Sequence, residues 1–244
     1  MKSGEKRIAM WSGAHTVSTL LLRAFENRPD TQVVDEPFYA HYLKQTGHKY
    51  AGYETVLKTR STDVSVIEAS LLEPLEPGKN IFYQKHMSHH IFAGMDQRWF
   101  EAMTNAFLIC DPLAVLAYFK KNTQDQITLA DLGVQQQLAL FDYLADKTGK
   151  APPVVDSSDI MKSPKNTLTK LCGALDIAFD NTMLAWPIGP RDSDGPWAPW
   201  QYQDVEMSSG FEGVKIPKLD PSDDLHHLAD LAMPFYERLA RYRL

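Results

Sequence analysis

Cysteine is scarce: Cys110 and Cys172 are the only two in 244 residues. Two thiols so far apart in sequence build neither a disulfide framework nor a cysteine-rich zinc module, and they fit a reducing, cytoplasmic setting. Long apolar runs are missing as well. The amino-terminal Met-Lys-Ser-Gly-Glu-Lys-Arg leads into only a short apolar segment, and no window approaches the roughly eighteen apolar residues of a spanning helix, so neither a signal peptide nor a membrane span is expected. Excess positive charge is absent. With 25 Lys and Arg against 31 Asp and Glu, the formal net charge of -6 removes the broad basic footprint of a nucleic-acid binder and leaves room only for a local basic pocket. The expected partner is a small molecule, with no nucleic acid and no membrane; the sequence is silent on oligomeric state. There is no internal repeat and no low-complexity tract. The remaining profile, 44% hydrophobic and 23% charged, is that of one folded domain over residues 1–244, and disorder, collagen and coiled coil are excluded.

Arg7-Ile8-Ala9-Met10-Trp11, then Ser12-Gly13-Ala14-His15-Thr16-Val17-Ser18-Thr19, then Leu20-Leu21-Leu22 with Ala24 and Phe25 read as strand, small-residue loop and helix. Thr31-Gln32-Val33-Val34 follows the turn signal Asn27-Arg28-Pro29-Asp30 as a second short strand ending at Asp35-Glu36-Pro37. Such a unit favours a parallel sheet. Asn80 to His86, Ala106 to Cys110 and Pro152 to Asp156 continue the alternation as strands. A helix is expected between Leu129 and Lys147, and another from Ser163-Pro164 through Leu175. The predicted class is α/β, three-layered around a central parallel sheet. Residues 187–211 are rich in Gly, Pro, Asp and Trp and read as an ordered loop or lid; residues 222–244 read as a closing helix with Leu225, Leu228, Leu231, Ala232, Phe235 and Leu239 on one side.

The loop after the first strand exposes backbone N–H groups at the positive end of a helix dipole, which suits a phosphate or sulfate, and Ser18 and Thr19 add hydroxyl donors. The nucleotide-triphosphatase pattern is not present, because the second glycine and the lysine are missing after Gly13. An ordinary ATPase or kinase is disfavoured, and a plain tight turn remains the competing reading of this loop.

Ile8-Ala9-Met10-Trp11-Ser12-Gly13, Ser18-Thr19, Asn27-Arg28-Pro29-Asp30 and Asp35-Glu36-Pro37-Phe38-Tyr39-Ala40-His41-Tyr42 resemble a bacterial branch of the sulfotransferase family. So do Tyr83-Gln84-Lys85-His86-Met87, Phe107-Leu108-Ile109, Asp111-Pro112, Trp186-Pro187, Gly189-Pro190-Arg191 and Gly210-Phe211, in the expected order along nearly the whole chain. The resemblance implies a P-loop-like fold and phosphoadenosine phosphosulfate (PAPS) as sulfuryl donor, held by Gly13, His15, Thr16, Ser18 and Thr19, with no metal. The chain departs from the family at the donor positions. His15 stands where Arg or Lys is usual, after Ala14 in place of Pro; Cys110 replaces an Arg and Tyr118 a Ser that grip the 3′-phosphate; Trp200 stands where a His is usual.

Sulfuryl transfer needs a base for the acceptor and donors for the charge on the leaving oxygen. Glu36, at the carboxyl end of the second strand, resembles the family's carboxylate base, against a solvated acid paired with Arg23 or Arg28. Lys85 would bear charge on the bridging oxygen, and His86 is the rival base, against a buried imidazole on a backbone carbonyl. His89 and His90 beside His86 raise a metal site, but helix-capping or core roles are commoner. Tyr39, His41 and Tyr42 would sit over the acceptor if the family topology holds. Trp197, Trp200, Tyr202 and Phe211 form either an aromatic wall or a local core. Asp111 caps the next helix, and Cys110 is either a reactive thiol or a small buried hydrophobe.

Overall fold

The structure is a computed structural model that describes residues 4–122, 127–212 and 225–244. Five strands, β1 (Lys6–Ser12), β2 (Thr31–Asp35), β3 (Ile81–Met87), β4 (Thr104–Ile109) and β5 (Val154–Asp156), form one all-parallel sheet in the order β2-β3-β1-β4-β5. β3 is buried at every position, as a strand covered on both faces must be. The register sets Asp35 opposite Lys85, Trp11 opposite His86 and Ser12 opposite Met87.

Thirteen α-helical segments are described: α1 (Ser18–Glu26), α2 (Tyr39–Thr46), α3 (Tyr53–Thr59), α4 (Val64–Leu72), α5 (Arg98–Glu101), α6 (Pro112–Asn122), α7 (Leu129–Leu132), α8 (Val134–Thr148), α9 (Ser157–Lys162), α10 (Pro164–Ala174), α11 (Ala198–Gln201), α12 (Gln203–Glu206) and α13 (His226–Ala240). Alternation along the strands sorts the core into two layers. Ile8, Met10, Tyr83 and Leu108 pack on Leu21, Leu22 and Phe25 of α1 and Leu168 and Leu171 of α10. Ala9, Trp11, Phe82 and Phe107 pack on the other side against Ile67 and Leu71 of α4, Leu140 and Phe141 of α8 and Leu239 of α13. The expected three-layer α/β architecture is therefore observed.

Two elements differ from the sequence reading. The helix expected between Leu129 and Lys147 is broken into α7 and α8 by Gly133, whose φ of 74° is left-handed and whose added Cβ would stand 2.9 Å from His89 Nδ1. In the closing helix Leu228, Ala229, Ala232 and Leu239 are buried, but Leu231 is 56% exposed because it falls at the edge of that apolar stripe. Ser222 to Asp224 lie outside the described residues. The segment 187–211 carries α11 and α12 and forms a bridge between Ala185 and Gly210. No helix among the described residues is long and apolar enough to cross a membrane.

Candidate active site

The carboxyl ends of β1, β2 and β3 meet where the loop Gly13 to Val17 turns into α1. Only glycine fits at 13, since a Cβ there would stand 2.6 Å from the Leu132 carbonyl oxygen. That same oxygen accepts the Ala14 N–H at 3.1 Å, so the end of α7 is seated on the loop and occupies one of its donors. His15 takes a left-handed φ of 50°, uncommon for a non-glycine residue. No side chain caps the start of α1, so its first-turn N–H groups are free of such a partner, and Ser18 and Thr19 are buried beside them. Thr16 Oγ1 is buried with no hydrogen-bond partner. A buried hydroxyl left unpaired costs free energy that a ligand oxygen would recover.

His15 does not supply the missing cation. Its ring stacks on Tyr118 at 4.4 Å and meets Phe119 edge-on at 4.1 Å. Although the residue as a whole is exposed, desolvation of its ring and then the neighbouring His89 push its pKa down to about 4, so the ring is neutral at pH 7.

Across the sheet end, three acceptors surround one ammonium. Lys85 Nζ donates to Glu36 Oε1 at 2.6 Å, Asp35 Oδ1 at 2.8 Å and the Tyr202 hydroxyl at 2.9 Å. The Tyr202 hydroxyl in turn donates to Asp35 Oδ2 at 2.7 Å and accepts from Trp197 Nε1 at 3.0 Å. Burial alone would lower the Lys85 pKa, but the two carboxylates outweigh it and hold the ammonium well above its ordinary value. Glu36 is displaced upward, first by burial and further by Asp35, with Lys85 opposing. Its backbone is left-handed, φ 40°, and is held by its N–H on the Lys85 carbonyl and its carbonyl on the Tyr39 N–H, both 3.0 Å. His90 Nε2 lies 4.0 Å from Glu36 Oε2, and its ring lies near-parallel to those of Tyr39 and Tyr42, with centroids at 5.3 and 4.6 Å. Ser88 Oγ, His89 Nδ1 and His90 Nδ1 are buried without partners.

Glu36, Lys85 and Tyr39 are thus brought together, near the end of the sheet that carries the loop of Gly13, His15, Thr16, Ser18 and Thr19. His86 is not. It faces the opposite side of β3, stacked on Trp11 at 4.7 Å with Nε2 3.1 Å from Gln84 Oε1, and burial drops its pKa to about 3. Its neighbour is a side-chain amide, where a backbone carbonyl was the expected alternative. His41 turns away, with Nδ1 3.0 Å from the Thr62 carbonyl and its ring edge-on to Phe92. Trp197 is fully buried as a strut behind Tyr202. Trp200 leaves the wall, 45% exposed and lying over Gly52. Arg23 and Arg28 pair with Asp194 and Asp30, leaving Glu36 to Lys85. Asp111 Oδ1 accepts the Leu113 N–H at 2.8 Å, the expected cap. Cys110 is buried and its thiol is pushed up to about 12, the state of a small hydrophobe. No group of three or more His, Cys, Asp and Glu among the described residues could hold a metal. Asp35 escaped the sequence reading as a site residue and becomes visible only once the register pairs it with Lys85; His90, weighed only as part of a metal site with His86 and His89, lies instead beside Glu36.

Residues 6–242 match the sulfotransferase domain family. The chain belongs to that family. Two Arabidopsis thaliana proteins named branched-chain-amino-acid aminotransferase-like proteins 1 and 2 are 32% and 31% identical to this sulfotransferase-family chain over 95% of its length. The chain spans 41% of each of them. Among solved structures, a sulfotransferase from Alicyclobacillus acidocaldarius aligns over 97% of this chain and 96% of its own, at 13% identity and a TM-score of 0.56. The sulfotransferase domain of the Synechococcus PCC 7002 olefin synthase aligns over 95% of both chains, at 14% identity and a TM-score of 0.52. These two likenesses show the fold.

Proposed function

We propose that this sulfotransferase-family chain moves a sulfuryl group from an adenylyl phosphosulfate, PAPS in the first instance, to a hydroxyl or amine of a small acceptor, with Glu36 as the base. The observation that carries the proposal is the Glu36–Lys85 pair at 2.6 Å, at the carboxyl ends of strands whose neighbour β1 opens into an uncapped helix start. The donor contributes an activated sulfur–oxygen bond. Thr16, Ser18, Thr19 and the first-turn N–H groups bind and orient its anionic end, the orphaned Thr16 hydroxyl gaining a partner. Glu36 accepts the proton from the attacking oxygen or nitrogen, and Lys85 keeps Glu36 ionised until it does. Tyr39, beside Glu36 and held by Gln201 Nε2 at 3.3 Å from its hydroxyl, walls the acceptor.

The phosphosulfate end of the donor fits these residues better than the 3′-phosphate end. Position 110 offers a neutral buried thiol and position 118 a phenol stacked on a neutral imidazole. That observation favours, as a second reading, the same transfer from a donor lacking the 3′-phosphate, or another anionic substrate. Calorimetric titration with adenosine 3′,5′-bisphosphate and with adenosine 5′-phosphosulfate separates the two. Micromolar binding of the bisphosphate supports PAPS; binding of the phosphosulfate alone supports a donor lacking the 3′-phosphate; binding of neither overturns transfer from either adenylyl donor. Glu36→Gln is expected to lower turnover by about two to four orders of magnitude, the usual range for a general base, while leaving donor affinity unchanged. Turnover retained to within a few-fold would remove Glu36 from the mechanism.

A further inference from the structure

The Tyr202 hydroxyl sits at the centre of the charge cluster although Tyr202 belongs to none of the sheet elements. It arrives from the junction of α11 and α12, in the segment that folds over the sheet end. A phenol has one proton to give and two lone pairs to offer. Here all three are used: the proton goes to Asp35 Oδ2, and the lone pairs take Lys85 Nζ and Trp197 Nε1. Lys85 has three protons, and they go to Asp35, Glu36 and this hydroxyl. The cluster therefore closes only when Tyr202 is present. Without it, Asp35 would lose one of its donors, one ammonium proton would be buried without an acceptor, and two adjacent carboxylates would compete for a single cation.

We propose that Tyr202 is a positioning residue for the base: by donating to Asp35 and accepting from Lys85, it keeps the Asp35–Glu36 pair ionised and directs one ammonium proton to Glu36. The consequence for catalysis rests on the reading of Glu36 as base; the electrostatic part does not. The charged and titratable groups facing Glu36 are Lys85 from β3, Asp35 from β2, His90 from the turn after β3 and Tyr39 from α2, with Tyr202 reaching it through Lys85; Asp35 in turn feels Arg23 of α1 and accepts the Gly195 N–H at 3.3 Å, both of which Tyr202→Phe leaves in place. Tyr39 and His90 are buried and neutral, their pKa values displaced up and down respectively by desolvation, so the balance lies with Lys85, Asp35 and the hydroxyl. A hydrogen bond that stabilises only the ionised form of a carboxylate pair lowers the pH at which the pair takes up its proton.

The test is a carbon-13 carboxyl titration by NMR on the full chain, with signals assigned through Glu36→Gln and Asp35→Asn. In Tyr202→Phe the apparent pKa of the pair is expected to rise by about one unit, a tenfold gain in proton affinity. Trp197→Phe loosens the same segment but leaves the hydroxyl on Asp35 and Lys85, and is expected to leave the titration in place. No shift in Tyr202→Phe, or an equal shift in both variants, overturns the inference. If Tyr202→Phe does not fold, the wild type decides through nitrogen-15 spectra: slowly exchanging Lys85 ammonium protons with a coupling to the Tyr202 hydroxyl are expected, and freely exchanging ones overturn it. A pKa shift alongside full turnover in Glu36→Gln would leave the role of Tyr202 standing and remove only the reading of Glu36 as base.

Discussion

Lys85 and His86 are adjacent in sequence and have opposite fates because side chains of a strand alternate. Lys85 shares its face with Tyr83, and His86 shares its face with Phe82 and Trp11. The sequence named both as candidates for the chemistry, but nothing in it tells which face carries the acid partner; that follows from Asp35 standing opposite Lys85 in the register. His86 then acts on stability. Its folded-state pKa is depressed to about 3, so the unfolded chain binds the proton first and stability is full above the ordinary imidazole value near 6.5. It is lost as pH falls from there toward 3. Between pH 7 and 4.5 this single group should remove about 2–3 kcal/mol, at roughly 1.4 kcal/mol per pKa unit. Urea denaturation at the two pH values checks it, and His86→Phe, which keeps a ring against Trp11, should flatten the dependence by a comparable amount. An unchanged slope would place the acid sensitivity elsewhere, on His89 for example, whose pKa burial lowers to about 4.

At the scale of elements, the five strands were legible because each is a short run of apolar or β-branched residues, and all but β3, which runs on into Ser88, stop at or near Gly, Pro or Asp. The single predicted helix around Gly133 was not resolved into two, since the apolar period continues through the break. The reason for the break is tertiary: the Leu132 carbonyl must reach Ala14 N–H, and Gly133 must pass His89. No local pattern records contacts with residues so distant along the chain. Gly13→Ala tests this seat. Its methyl group would meet a backbone oxygen at 2.6 Å, which cannot swing aside as a side chain would. The expected cost is about 1–3 kcal/mol, typical of overpacking, read as a lower melting temperature. A weaker affinity for the adenosine anions should accompany it, because the displaced segment carries the donors of the loop.

Over the whole molecule, the segment 187–211 joins parts that the sheet alone would leave separate. Asp194 pairs with the buried Arg23 of α1 at 2.6 Å, Arg191 reaches Glu26 at 3.6 Å, and Tyr202 enters the charge cluster. Its aromatic content announced an ordered segment, but its partners on α1 and β3 could not be read from composition. Asp194→Ala would leave Arg23 buried with only the partly exposed Glu26 at 3.4 Å and the more remote Asp35 to offset it, and should cost about 3 kcal/mol, as breaking a buried ion pair does. Limited proteolysis should then cut within 187–211 faster than in the wild type; equal cutting and an equal melting temperature would count against the tie.

The pairing of β2 with β3 also bears on how the chain reaches its fold. β2 is only five residues long and lies at the sheet edge, where strands slip most easily. Moving it by one residue so that Asp35 faces His86 would set Val34 against Lys85 and leave the ammonium opposite a strand position with no acid. An unpaired buried charge is among the costliest errors a folded chain can contain. The lysine that pairs with Glu36 therefore also penalises that slip of the edge strand, tying the register of β2 to the charge cluster.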